Sequence, residues 1–327
     1  MQNNSDTVLI LGGAGQDGRI LATKLVQENH EVVSLVRPKS ESRQENLKSQ
    51  LIADLKSPSD FRRVYEEIRP SKIINLASMS SVAACESDPD KSKLINFNYA
   101  RDALEAAVAY AKNSSFPITF AQASSSEMYG EGIVNCDEFS PMNPKTAYGI
   151  HKLMTHQLLN MTRNSASNIK LHSMILFNHE SEFRPPNFVS QKISIGAARV
   201  FLGRESALTL GNTASARDWG YAPDFIDAMV KILFAEEARD YVIATGKVHT
   251  VEDMLQYAFS VIGVADYTRH FVSDPNLYRK IETPRLVGNA SRIQKELGWS
   301  PKTTFKEMVR MMVTSQIEIL KKEGDLQ

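Results

Sequence analysis

Cysteine is scarce. Two thiols, Cys85 and Cys136, in 327 residues cannot build a disulfide framework or a cysteine-only metal site. Such usage suits a reducing compartment, and the cytoplasm is the expected location. Net charge is missing as well. The 38 Lys and Arg residues balance 38 Asp and Glu residues. That leaves no basic excess for nucleic acid or an anionic membrane surface, so neither partner is expected. No uninterrupted apolar run reaches the roughly 18 residues of a membrane span. Met1–Asp6 is polar and lacks the apolar segment of a secretory signal. What is present is ordinary: 42% hydrophobic and 23% charged residues. That composition supports a sizeable core in one large domain or two ordinary ones.

Apolar stretches and helical patterns alternate through the first half. Thr7–Leu11 reads as a strand, followed by a glycine-rich turn and a helix bearing Ile20, Leu21, Leu25 and Val26. Glu31–Val36 is the next strand, completing a β-α-β unit. Ser57–Asp60 starts a helix through Ile68, and Lys72–Leu76 is a strand. A long helix is expected over Asp88–Lys112, a strand over Pro117–Gln122, a helix over Thr146–Arg163 and a strand over Lys170–Leu176. This order predicts an α/β fold: an open, doubly wound parallel sheet of the Rossmann type, with ligands beyond the C-terminal strand ends. The expected division is a dinucleotide-binding domain over 1–176 with segments returning at about 211–246, and a smaller substrate lobe over 177–327. Glu182–Pro186 reads as a loop and Val189–Leu202 as a helix in that lobe.

Gly12, Gly15 and Gly18 lie between the first strand and helix, in a G-x-x-G-x-x-G spacing. Glycine permits a tight turn and close approach of a pyrophosphate, and the helix N-terminus adds free N–H groups. Without its strand-turn-helix context the spacing is weak, and a ligand-free turn would look similar. The second strand ends in Val36-Arg37-Pro38-Lys39 with no acid to hold a ribose 2′-hydroxyl. Arg37 suits a 2′-phosphate instead, which favours NADP, although a surface ion pair is the plainer use of an arginine. Asp54 can accept from an adenine amino group or cap a helix.

Chemistry concentrates in two segments. Ala123–Gly130 follows a strand, and Tyr148–Lys152 opens a helix. Tyr148 and Lys152 are four residues apart and share a helical face, where the ammonium is expected to lower the phenol pKa. Tyr148 then acts as base toward a sugar hydroxyl that Ser125 also binds. Glu127 is the informative residue, because plain hydride transfer needs no carboxylate there. In an extended segment Ser125 and Glu127 point the same way. Otherwise Glu127 is a solvated loop residue. No metal site is expected. His179 has no partner at ligand spacing, and His151 and His156 do not share a helical face.

With these motifs in place, the chain resembles the extended short-chain dehydrogenase/reductases, and among them the GDP-mannose 4,6-dehydratase family, over almost its whole length. Gly12–Gly18 matches the family's G-x-x-G-Q-D-G turn, and Ser124–Gly130 its S-T-S-E-L-Y-G segment with Ser125 for threonine. Leu176–Ser181 matches L-F-N-H-E-S, and Leu210-Gly211-Asn212 with Arg217–Gly220 matches L-G-N and R-D-W-G. Val242–Gly246 and Leu297-Gly298-Trp299 also match.

The resemblance implies that Ser125, Glu127, Tyr148 and Lys152 are catalytic. It implies NADP held by Gly12, Gly15, Gln16, Asp17, Gly18, Arg37, Asp54, Leu55, Leu76, Ala77, His179 and Arg184, with Tyr148 and Lys152. It places the GDP-sugar against Asn178, Val189, Lys192, Gly211, Arg217, Arg279 and Glu282, and Lys192 and Arg217 supply the cations a pyrophosphate needs. It also implies a homodimer or homotetramer. Two departures stand out. Pro38 replaces the family's second arginine before a shorter loop, and the arginine loop reads Glu182-Phe183-Arg184-Pro185-Pro186-Asn187. The first bears on dimer against tetramer. The second leaves another GDP-hexose, such as GDP-N-acetylglucosamine, open. A 4-keto sugar reductase or epimerase of the same fold usually lacks the Glu127 carboxylate, and an NADP sensor commonly loses the tyrosine or lysine.

Overall fold

The computed structural model describes residues 7–38, 50–130, 132, 134–278 and 285–324. Seven parallel strands form the main sheet. From one edge they run Asp240–Ile243, Ile169–Leu176, β5 (Ile118–Ser125), β4 (Lys72–Asn75), β1 (Thr7–Leu11), β2 (Glu31–Val36) and β3 (Gln50–Ile52). Chain order reverses between β1 and β4, and the first glycine turn leaves the sheet at that switch point.

Every residue of β1 is buried, as a parallel strand covered on both faces requires. Val8 and Ile10 join one core with Leu21 and Leu25 of helix α1 (Gln16–Gln27) and Phe225 and Met229 of helix Ala222–Leu233. Leu9 and Leu11 face the other core, with Phe61 and Tyr65 of α2 (Pro58–Ile68), Leu104 and Ala107 of helix Tyr99–Asn113, and Leu159. Helix α2 begins as expected: Ser57 and Asp60 form a reciprocal capping box and Pro58 occupies the first turn. A third core, built from helices Val189–Phe201, Val251–Val261 and Phe305–Gly324, includes Ile193, Leu255, Phe259, Met308 and Val313.

Three elements differ from the sequence expectation. Gln50–Ile52 pairs with β2 as an edge strand, although three residues carry too little periodicity to signal one. β5 runs on to Ser125 because Ser124 and Ser125 pair with Ile175 and Leu176 of the neighbouring strand. Neighbour pairing thus overrides the weak strand preference of serine. The expected Asp88–Lys112 helix is interrupted. Pro89–Lys93 leads into a π turn at Leu94–Asn98 and then Tyr99–Asn113. The buried Asn96 side chain explains the wider turn. Its Oδ1 accepts from Ser78 Oγ at 2.8 Å and Met79 N–H at 2.9 Å, and its Nδ2 donates to the Met79 carbonyl at 3.2 Å.

A small second sheet reaches across to the third core. Asn178–Glu180 pairs parallel with Trp219–Tyr221, and Ala216–Asp218 pairs with Val248–Thr250. Asp218, 1% exposed, fastens the joint by accepting N–H bonds from Thr245 (2.9 Å), Gly246 (2.9 Å) and Gly288 (3.2 Å). Burial raises its carboxyl pKa despite these bonds. Among the described residues no helix is long and apolar enough to cross a membrane, and no cluster of three or more His, Cys, Asp or Glu residues is placed to hold a metal.

Candidate functional site

A cleft of about 540 Å³ opens beyond the C-terminal ends of β1, β4, β5 and Ile169–Leu176. At one end sits the glycine turn. Gly12 has φ +86°, and a Cβ there would stand 2.7 Å from the Ala77 backbone nitrogen. A Cβ on Gly18 would stand 2.6 Å from the Gly12 carbonyl. Both positions therefore need glycine. Gly15 caps α1 without a side-chain hydrogen bond. The first-turn N–H groups of α1 thus face the cleft with no side chain of the cap over them, a donor set that fits a pyrophosphate.

Beside the turn lies an ion pair between the buried His179 and the part-buried Asp17. His179 Nδ1 contacts the Phe177 carbonyl at 2.8 Å and Nε2 contacts Asp17 Oδ2 at 3.0 Å. Both partners only accept, so both ring nitrogens donate and the ring is an imidazolium. Burial disfavours that charge, but the Asp17 carboxylate and its hydrogen bond outweigh burial and raise the His179 pKa. Burial likewise works against Asp17, yet the His179 charge, bonds from His179 and Gln16, and Arg184 hold its carboxyl at about 2. The lowered Asp17 value contributes stability above the usual carboxylate range, lost as pH falls toward 2. The raised His179 value contributes stability below about pH 6.5, lost as pH rises through the folded value. Asp17→Asn is therefore expected to cost about 3 kcal/mol at pH 5.5 and clearly less at pH 9. Thermal unfolding of the ligand-free protein at the two pH values measures this, and an equal loss at both would refute the charged pair.

The cleft floor carries the catalytic candidates. Thr146 caps helix Ala147–Arg163 by accepting from Gly149 N–H, which sets Tyr148 and Lys152 one turn apart over β5. A Cβ on Gly149 would stand 2.6 Å from the Glu127 carbonyl, so glycine lets the helix press against the turn that presents Glu127. The segment is not extended as expected. Ser125 ends β5 and its Oγ accepts from Glu127 N–H at 3.2 Å, capping a 3-10 turn over Ser126–Met128. The turn still delivers Ser125 and Glu127 to one cleft with Tyr148 and Lys152.

The expected effect of the lysine on the tyrosine does not hold in this structure. Burial pushes the Tyr148 phenol up to about 12, against hydrogen bonds from Ser125 and Ser78 and with a further push from the Glu127 charge. Lys152 donates to the Ala123 carbonyl at 2.9 Å, and its ammonium lies 5.7 Å from the Tyr148 ring centroid. Burial lowers Lys152 itself to about 8. Desolvation is the larger effect on both groups.

At the far end the cleft is lined by Asn178, Arg184, Val189, Lys192, Gly211 and Arg217. Arg184 lies over the Phe188 ring at 3.8 Å and pairs with Glu180 at 3.0 Å. Lys192 is exposed, while Arg217 is buried and donates to the Ala216 carbonyl. Gly12, Gly15, Gln16, Asp17, Gly18, Leu76 and His179 line the same cleft. Other expected residues fall elsewhere. Leu55 is buried in the core with Phe61 and Leu104 and does not line the cleft. Asp54 is exposed and pairs with Lys56 at 3.2 Å, and the cap of α2 is Ser57. Ala77 abuts Gly12 through its backbone without lining the cleft, and Arg37 is exposed outside the lining. Arg279 and Glu282 lie outside the described residues.

Sequence reasoning missed Ser78 and Ser80–Ala83, which also line the cleft. Their position just after β4 was the available signal, since ligands gather at C-terminal strand ends.

The chain is similar to known proteins over nearly its whole length. A family model described as GDP-mannose 4,6 dehydratase matches residues 9–312. GDP-mannose 4,6 dehydratase 1 of Arabidopsis thaliana is 33% identical, over 96% of this chain and 91% of its own length. The Cricetulus griseus GDP-mannose 4,6 dehydratase is 31% identical, over 96% and 92%. The solved structure of UDP-glucose 4-epimerase from Thermotoga maritima with UDP-glucose superposes with TM-score 0.83 at 22% identity, covering 96% of this chain and 99% of that one. A family match over nearly the full chain, on a fold that collects the motif residues in one cleft, means that the chain belongs to the GDP-mannose 4,6-dehydratase family.

Proposed function

We propose that the protein converts GDP-mannose to GDP-4-keto-6-deoxymannose with NADP. One observation carries this reading: a carboxylate, Glu127, shares the cleft floor with Tyr148, Lys152 and Ser125. Water elimination needs that group, and simple hydride transfer does not.

The cofactor's cradle is the glycine turn: Gly12, Gly15 and Gly18 with the α1 N-terminus take the pyrophosphate, and Gln16, Asp17, Leu76, His179 and Arg184 flank it. A dinucleotide held there would supply a reversible hydride carrier for oxidation at sugar C4 and reduction at C6. Tyr148 takes the proton of the C4 hydroxyl, with Ser125 holding the same oxygen. The C4 ketone acidifies the C5 hydrogen because the resulting carbanion is an enolate. Glu127 removes that proton and gives a proton to the departing C6 hydroxyl, which leaves as water. The proton that Tyr148 took balances the one C5 regains. Lys192, Arg217 and Asn178 hold the GDP moiety, with Val189 and Gly211 beside it. Residues 1–176, with segments returning at about 211–246, build the dinucleotide-binding domain, and 177–327 is mainly the nucleotide-sugar lobe, the two sharing the cleft residues named above.

We assign NADP over NAD on Arg37, which directly follows β2 where an acid would hold a ribose 2′-hydroxyl. Arg37→Ala is expected to weaken NADP about 10- to 100-fold with little change for NAD. Calorimetry with each dinucleotide reads the difference, and an unchanged NADP affinity would remove the basis for the assignment. We also assign a cytoplasmic homodimer or homotetramer. Leu94 (58% exposed), in the turn before helix Tyr99–Asn113, and Ile150 (44% exposed), on helix Ala147–Arg163, suit a subunit contact.

The direct test incubates purified protein with a panel of nucleotide sugars and trace NADP. A 4-keto-6-deoxy product from GDP-mannose, without stoichiometric cofactor consumption, is the expected result. Turnover confined to another GDP-hexose would reassign the substrate. Steady NADPH consumption would indicate a reductase.

A further inference from the structure

The glycine turn and the nucleotide-sugar segment are distant in sequence and joined by side chains in space. Ser181 Oγ donates to Gln16 Oε1 at 2.9 Å. Gln16 Nε2 donates to the His179 carbonyl at 3.2 Å and to Asp17 Oδ1 at 3.0 Å. His179 returns to Asp17 at 3.0 Å. Gln16 is 8% exposed and Ser181 0%, so these bonds stand in low dielectric and neither residue can relax into solvent. On one side the clasp holds the first turn of α1. On the other it holds Asn178–Ser181, which runs through Arg184 and Phe188 into helix Val189–Phe201 with Lys192 in the cleft.

We propose that this clasp makes dinucleotide and nucleotide-sugar binding mutually reinforcing, with Ser181 as a positioning residue that touches neither ligand. The proposal rests on the functional reading above for the identity of the two ligands. A pyrophosphate settling on the turn fixes Gln16 and Asp17. Through the clasp the same event bears on the placement of strand Asn178–Glu180 and Ser181, which lead to the second ligand's side of the cleft. Linkage makes the effect reciprocal.

The test uses the full chain with NADP and GDP as probes. In the wild type, saturating NADP is expected to tighten GDP about tenfold, and GDP to tighten NADP by the same factor. In Ser181→Ala each ligand alone is expected to bind within about twofold of wild type, while the mutual tightening falls below about threefold. Ser181→Cys, which keeps a donor of similar size, is expected to recover part of it. Hydrogen exchange gives an arm independent of GDP. NADP alone should slow exchange in residues 189–201 of the wild type and much less in Ser181→Ala. Undiminished mutual tightening in the alanine variant, or none in the wild type, would overturn the proposal. Failure of GDP to bind at all would count against the proposed function instead. The exchange arm then decides: NADP-slowed exchange that depends on Ser181 supports the clasp, and exchange unaffected by the substitution overturns it.

Discussion

Glu127→Gln is expected to keep the fold and the cofactor while dehydration falls roughly 10²- to 10⁴-fold. The amide is nearly isosteric with the carboxylate. The turn it occupies is held by groups the substitution leaves alone: the Glu127 N–H on Ser125 Oγ, and the Glu127 carbonyl packed against Gly149. What disappears is a group able to take and return a proton. The loss therefore falls on two observables together, release of the deoxy product and exchange of solvent deuterium into C5. Thermal unfolding and dinucleotide affinity should stay within error of wild type. Retained C5 exchange in the variant would move the base elsewhere and remove the main support for a dehydratase. Loss of cofactor binding would show that the residue is structural.

Tyr148→Phe is expected to cost a similar roughly 10²- to 10⁴-fold, earlier in the sequence, at C4 oxidation. In the ligand-free protein burial pushes this phenol up to about 12. A phenol that weakly acidic is almost wholly protonated near pH 7, so the population able to accept a proton grows as pH rises. The acid limb of kcat/KM in the wild type should therefore climb with pH, and the residual activity of Tyr148→Phe should lack that slope. Lys152 bears on the same limb. Burial lowers it to about 8, so its positive charge is lost from the site above that pH. A flat wild-type profile across the neutral range would rule Tyr148 out as the titrating base. Removing the hydroxyl leaves the ring beneath Lys152, and the capping bond from Gly149 N–H to Thr146 Oγ1 is untouched.

Much of this site was legible because chain geometry carries it. A parallel strand buried on both faces writes an unbroken apolar run, as in Val8–Leu11, and the glycine turn after it has a steric reason at Gly12 and Gly18. Tyr148 and Lys152 were readable from helical spacing, and Glu127 from the question of what a simple reductase does not need. What was hidden depends on partners far along the chain. The core around Leu55 is one case, since Phe61 and Leu104 build it. The phenol pKa depends on how deeply the site is buried and where the ammonium points, neither of which a four-residue spacing encodes. The break at Leu94–Asn98 was equally invisible, because its cause is a loop after β4.

That break has a consequence for how this chain tolerates length changes. One surplus residue is wound into the Leu94–Asn98 stretch, and a single-residue deletion there would yield an unbroken, locally more regular α-helix. The repair would be harmful. Losing one residue turns everything on one side by about 100° relative to the other. Asn96 and Ser92, which now meet Ser78 and His151, would swing away together. Shortening this helix by one residue should disturb the cleft wall from behind, at no contact with either ligand.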